Sequence, residues 1–306
     1  MFYTDITIKG GGYEASFRSD LGGNCYRLIE IVSGAEILRT PSNEEELKAG
    51  MYLYGNPILF PPNRIKGGKF EFEGREYNFP INEIKTGCHI HGELYKTSFE
   101  IEAHTEDSVV FFCEFSQFEY IGFPHAFSVR RKYELTSDGL MEAVEVKNLS
   151  DENMPFMLAF HTTLNIPFLE NGNAEECYAK IEVGREQLRN ENYLPTLSYV
   201  GGRQRENELS SGEYRISEAP ISACYEAQGK ATVITDRSCG RAVIYEADEA
   251  YKYRMLWRGT CSSFFVAEPQ TSAIDCFHLE LPAEEKGLIV IPPHKTAVLN
   301  TRFAII

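Results

Sequence analysis

The sequence predicts an all-β protein: a large antiparallel β-sandwich with few short helices. Two observations carry that expectation. Short runs of β-branched and aromatic residues recur along the chain, separated by turn residues at close intervals. Almost no stretch repeats at the 3.6-residue period of an amphipathic helix. Strands joined by short turns pair antiparallel, whereas parallel pairs need long helical crossovers.

Taken in order, the first forty residues alternate weakly and are broken by glycines at 10 to 12 and at 22 and 23, as short strands with turns would be. Ser42-Asn43-Glu44-Glu45 has the form of a helix capping box, and Gly50 is placed to close one or two turns of helix. The stretch Tyr54 to Ile65 contains Pro61-Pro62, which argues against regular structure and for an ordered loop delivering Asn63 and Arg64. Lys69 to Phe79 reads as a hairpin, with Phe70 and Phe72 on one face and a turn at Glu73-Gly74-Arg75.

Further runs follow at Ser98–Ala103, Val109–Phe115, Phe127–Leu135, Glu142–Asn148 and Phe156–His161. Residues 168 to 220 are polar and show little period, so long loops over one end of the sheets are expected, with a short helix near Ala174. Strands resume at Ala231–Thr235, Arg241–Glu246, Tyr251–Trp257, Ser262–Ala267, Gly287–Ile291 and Ala297–Ala304. No proline- or serine-rich linker and no fixed-length repeat divides the chain, so one domain over residues 1–306 is expected.

Composition narrows the function classes. Acidic residues outnumber basic ones by 45 to 30, and no Lys/Arg block appears, which speaks against nucleic acid or an anionic membrane as partner. Eight scattered cysteines without CxxC pairs, and no basic-then-apolar leader after Met1, fit reduced thiols in a cytoplasmic protein.

Two places can carry chemistry. The apolar run Phe264-Phe265-Val266-Ala267 ends in Glu268, and Pro269 is expected to stop the ladder there, leaving a carboxylate where a pocket could begin. Partial burial would raise its pKa toward the range of a proton carrier; a rim glutamate in water is the plain alternative. The second place is Cys88-His89-Ile90-His91-Gly92, where a strand would put His89 and His91 on one face. Such a pair can ligate metal, but a third and fourth ligand at recognisable spacing are not evident, so a metal-free polar site is the expectation. His161 ends another apolar strand, which by itself fits a satisfied core or rim residue as well as a catalyst.

Several motifs together resemble the aldose 1-epimerase (galactose mutarotase) family. Asn63-Arg64-Ile65, Gly68-Lys69-Phe70, Gly74, Tyr77, Asn82 and His91-Gly92 are similar to its first block, and His161-Thr162-Thr163-Leu164-Asn165 to its second. Phe265-Val266-Ala267-Glu268-Pro269-Gln270 resembles the strand bearing its catalytic glutamate. The resemblance runs from about residue 54 to the C-terminus. It implies a β-sandwich with an open cleft, Glu268 as general base, His161 as general acid, His91 as a second site histidine and Arg64 as a sugar contact. It implies interconversion of the α and β anomers of a free sugar, with no cofactor.

Beside these, Asn63, Trp257 and Tyr225 are candidate sugar contacts, the last two as aromatic faces. Two departures stand out. No acidic residue occurs around Ile221–Tyr225, where galactose-specific members carry one, and Glu93-Leu94-Tyr95-Lys96 replaces the arginine and tryptophan of members acting on hexose 6-phosphates. The expectation is therefore a monomer or homodimer acting on a small sugar. The alternatives are a non-catalytic carbohydrate-binding protein on the same fold and a metal-dependent enzyme using His89, His91, His161 and Glu268.

Overall fold

In the computed structural model, which describes residues 6–261 and 263–306, a 15-stranded antiparallel sheet system dominates. Its main path runs from Glu100–His104 through Ser108–Phe115, Phe127–Thr136, Gly139–Asn148 and Thr296–Ile305 to Arg241–Ala247. From there it continues through Ile221–Asp236, Tyr253–Arg258 and Phe264–Gln270 to Ala159–Phe160 and Ile58–Leu59. A four-stranded sheet made of Ile6–Gly10, Tyr13–Arg18, Asn24–Glu30 and Ala35–Glu36 packs on the long sheet. Phe17 joins the layers, its ring centroid 5.7 Å from Phe111 and 4.7 Å from Tyr133. The fold is a large antiparallel β-sandwich, and its core is the row of buried alternate residues that these strands turn inward.

Local signals account for the connecting pieces. Asn43 caps Glu44–Ala49 by accepting from the Glu46 N–H, and Gly50 follows as the C-cap. Lys69–Phe72 and Arg75–Asn78 form the expected hairpin, with Glu73 and Gly74 both at positive φ, which leaves Arg75 in the strand. The Pro61-Pro62 stretch is more regular than expected: Ile58–Leu59 pairs with Ala159–Phe160, and Arg64–Lys66 pairs with Cys88–Ile90.

Residues 168–220 correct the sequence reading most. They contain a 13-residue strand, Cys177–Arg189, the strand Pro195–Val200 and the helix Gln204–Ser211, together with the expected short turn of helix at Ala174–Glu176. The long strand is the neighbour of Ile221–Asp236 in the sheet and so brings its end to the site.

Pro269 does not end its strand. Phe264–Gln270 runs through it and stays paired with Tyr253–Arg258, including Arg254 opposite Pro269. The ladder breaks on the other side, between Ala159–Phe160 and Thr162–Asn165, where a proline has no N–H to contribute. Ser262, the expected start of this strand, lies outside the described residues, as does the Met1–Asp5 segment. All eight cysteines are free thiols. Among the described residues no helix is long and apolar enough to cross a membrane.

Candidate active site

The register across that break builds the site. Ala159 pairs with Gln270 and Thr162 with Ala267, so His161 falls directly opposite Glu268 on the same face of the sheet. His161 Nε2 lies 3.6 Å from Glu268 Oε1, and both side chains are buried. The His161 N–H donates to the Pro57 carbonyl, which holds the backbone while the ring remains free to serve the cavity. Among the described residues Glu268 otherwise accepts only the Gln270 side-chain amide, at 3.2 Å. The cavity they face measures about 620 Å³.

His91 reaches the same cavity by a different route. The strand Cys88–Ile90 ends one residue earlier, and His91 and Gly92 both turn to positive φ (66° and 61°). A Cβ on Gly92 would sit 1.7 Å from the Phe60 carbonyl oxygen, so this turn requires glycine. The turn overturns the expected shared face of the two histidines. His91 lines the cavity with its ring 5.6 Å from that of His161, while His89 is fully buried, hydrogen-bonded through Nδ1 to the Pro80 carbonyl and packed on Phe79. Among the described residues no three His, Cys, Asp or Glu side chains group as metal ligands.

Arg64 and Asn63 also line the cavity. The Arg64 guanidinium is held by Glu83 through two bonds of 2.7 Å, from Nε and Nη2, and lies 4.7 Å from the centre of the Tyr193 ring. Asn63, buried at positive φ, accepts the Arg64 N–H on its side-chain oxygen and the His91 N–H on its carbonyl. Trp257 forms part of the wall, packed on Phe264.

Tyr225 does not belong to the site. Met255 pairs with Glu268 and Cys224 with Met255, so the cavity face of the Ile221–Asp236 strand carries Ser222 and Cys224. Tyr225 points to the other face with Arg254, fully buried beside Arg205. A single step of strand parity decides this.

Burial sets the protonation. It pushes the Glu268 carboxyl up to about 8, against weaker opposing pulls from the Gln270 amide and the Arg189 and Arg64 charges. It pushes the His161 imidazole down to about 4. His91 is held well below its ordinary value, first by burial and then by His161, Arg64 and His89. The Nδ1 atoms of both His91 and His161 are buried without a hydrogen-bond partner among the described residues. Polar atoms in that state cost stability unless something brought to the cavity satisfies them.

Several cavity residues escaped the sequence reading. Tyr52, from the short turn of helix Met51–Leu53, covers both histidines, its ring 5.5 Å from His91 and 5.3 Å from His161. Glu83 anchors Arg64, and Arg189 and Tyr193 arrive from the end of the long strand and the loop after it. Strand parity signals Ser222 and Met255; the others depend on contacts between distant segments.

The sequence profile described as aldose 1-epimerase matches residues 4–304, and the chain belongs to that family. A galactose mutarotase-like protein from Clostridium acetobutylicum superposes with a TM-score of 0.92 at 29% identity, covering 98% of this chain and 94% of its own. Two curated proteins of Escherichia coli K12 also match. The uncharacterized protein YihR is 27% identical over 161 residues, and the uncharacterized protein YphB 26% over 105. The matched stretches span 49% and 34% of their lengths, and 52% and 34% of this chain.

Proposed function

We propose that the protein is an aldose 1-epimerase that interconverts the anomers of a free sugar through Glu268 and His161. The observation that carries this reading is the cross-strand pair itself: an acid and a base 3.6 Å apart, buried, and open to a cavity large enough for a monosaccharide.

Ring opening removes the proton from the C1 hydroxyl, breaks the C1–O5 bond and delivers a proton to O5. Closing on the other face of the aldehyde reverses those transfers. The reaction therefore needs one site that can take a proton and one that can give it, and the two must end as they began. Between pH values of about 4 and 8 the Glu268–His161 pair holds a single proton. With the proton on the imidazole, Glu268 is the base toward O1 and His161 the acid toward O5. Opening the ring leaves a carboxylic acid beside a neutral imidazole, the arrangement that burial favours. The charged form is supported by Arg64 and Arg189, which both pull the Glu268 carboxyl downward. His91, held neutral, is suited to hydrogen-bond a sugar oxygen rather than to carry charge.

Exchange NMR or polarimetry on freshly dissolved anomers of glucose, galactose and the corresponding uronic acids tests this. Acceleration of at least one sugar is expected, with saturation in substrate. Saturable binding with no acceleration of any sugar would instead identify a carbohydrate-binding protein on the same fold.

A further inference from the structure

The charged groups around the cavity are matched unequally. Arg64 is paired with Glu83, while Lys85 and Glu191 are both exposed at the rim. Burial keeps Glu268 mostly protonated near neutral pH and leaves His91 and His161 uncharged. Among the described residues Arg189 is held by neutral groups alone. Its Nη2 donates to the Ser222 carbonyl and, at 3.0 Å, to Ser222 Oγ, while Nη1 lies 3.8 Å from Met255 Sδ. None of these acceptors is charged. The arrangement contrasts with that of Arg64, which shares the Tyr193 ring with it: the ring centre is 4.7 Å from Arg64 and 5.8 Å from Arg189.

Register fixes where this charge sits. Gln187, Cys224, Met255 and Glu268 form one row across four strands, and Arg189 and Ser222 lie one step further along the same face. Reaching back to the Met255 sulfur brings the guanidinium over the strand that neighbours Glu268. An anionic group on the sugar would meet it close to the reacting end of the ring. In a uronic acid the carboxylate is borne by C5, the atom bonded to the ring oxygen, so it is positioned for such a contact.

We infer that Arg189 selects a carboxylate on the substrate, and that the sugars served by this cavity are uronic acids rather than neutral hexoses. The inference rests on the mutarotase reading above for its chemistry, though not for its binding. One planar guanidinium matches one carboxylate in a two-bond contact. A phosphate dianion is ordinarily met by several cations or a row of backbone N–H groups; here Arg64 is already held by Glu83 and Lys85 lies exposed at the rim, which leaves Arg189 as the contact offered.

The test compares galacturonate and glucuronate with galactose, glucose and glucose 6-phosphate, in the wild type and in Arg189→Gln. Anomer exchange by NMR gives turnover, and calorimetry gives binding without requiring turnover. The wild type is expected to favour each uronate over its neutral hexose by about ten- to a hundredfold, the worth of a hydrogen-bonded charge contact. Arg189→Gln is expected to bring that ratio close to one. Equal or better use of the neutral hexoses, a uronate preference that survives Arg189→Gln, or a stronger preference for the phosphate would each overturn the inference. If no sugar is turned over, the mutarotase reading fails by itself. Calorimetry then decides: tighter uronate binding lost in Arg189→Gln upholds the carboxylate site, and equal binding of uronate and hexose removes it.

Discussion

Two buried acid–base pairs, carried by strands well apart along the sheet, are provisioned in opposite ways. On the core side, Glu142 accepts from Arg131 Nε and Nη2 at 2.9 and 2.7 Å, from Asn56 at 2.8 Å and from Thr301 at 2.8 Å. Arg131 also donates to the carbonyls of Gly22 and Asn56. On the cavity side, Glu268 has one side-chain amide at 3.2 Å and an imidazole at 3.6 Å, and that imidazole has a bare Nδ1. The two are linked, because Thr162, next to His161 in the chain, donates to Asn56 at 2.6 Å. Burial alone therefore does not make a group structural or chemical. A charged pair whose lone pairs and protons are all matched stays fixed. A pair left short of partners stays close to neutral and can exchange a proton with a guest.

The sharpest way to break this contrast is to change one member of each pair. Glu268→Gln keeps the shape and removes the exchangeable proton, and is expected to lower the catalysed rate by about 100- to 10,000-fold with the fold retained. Comparing initial rates with the far-ultraviolet circular dichroism spectrum checks both halves. Glu142→Ala strands the Arg131 charge without its carboxylate, and is expected to cost about 3–5 kcal/mol of stability, read from the denaturant midpoint. Should Glu142→Ala leave stability untouched while Glu268→Gln unfolds the protein, the assignment of the two pairs is reversed.

A smaller effect is expected from the cavity wall. Trp257 stands half-buried on Phe264 and offers a face to the cavity without meeting the proton-transfer pair. Trp257→Ala should raise KM about three- to tenfold with little change in kcat, the loss of stacking rather than of chemistry. A fall in kcat equal to that of Glu268→Gln would mean that the wall positions the reacting atoms.

Much of this was readable in the chain because it depends on short-range rules. The alternation of apolar residues marks the strands, and an apolar run ending in Glu268 marks where a cavity can open. Those rules stop at contacts between distant segments. Tyr225 is a candidate sugar contact by its aromatic ring and its strand, but cross-strand register puts it one residue out of phase with Cys224 and Met255. Strand alternation alone puts His89 and His91 on one face; the left-handed turn at His91-Gly92, forced by contact with Phe60, is a tertiary constraint that alternation does not contain. The strand Cys177–Arg189 hid behind its own irregularity: Ala179, Ile181 and Val183 alternate with Lys180 and Glu182, but register shifts then break the period before Glu186. Tyr52, Arg189 and Tyr193 come from segment ends whose destination no local pattern encodes.

The pH dependence of kcat/KM, with the spontaneous mutarotation at each pH subtracted, tests the proton-sharing pair most directly. The pair loses its base when it binds a second proton and loses its acid when it gives up its only one. The profile should therefore fall below a pH of about 4 and above about 8, with a plateau between. The upper limb should be absent from the residual activity of Glu268→Gln. A wild-type rate that climbs undiminished through pH 9, or an upper limb that Glu268→Gln retains, would contradict the account.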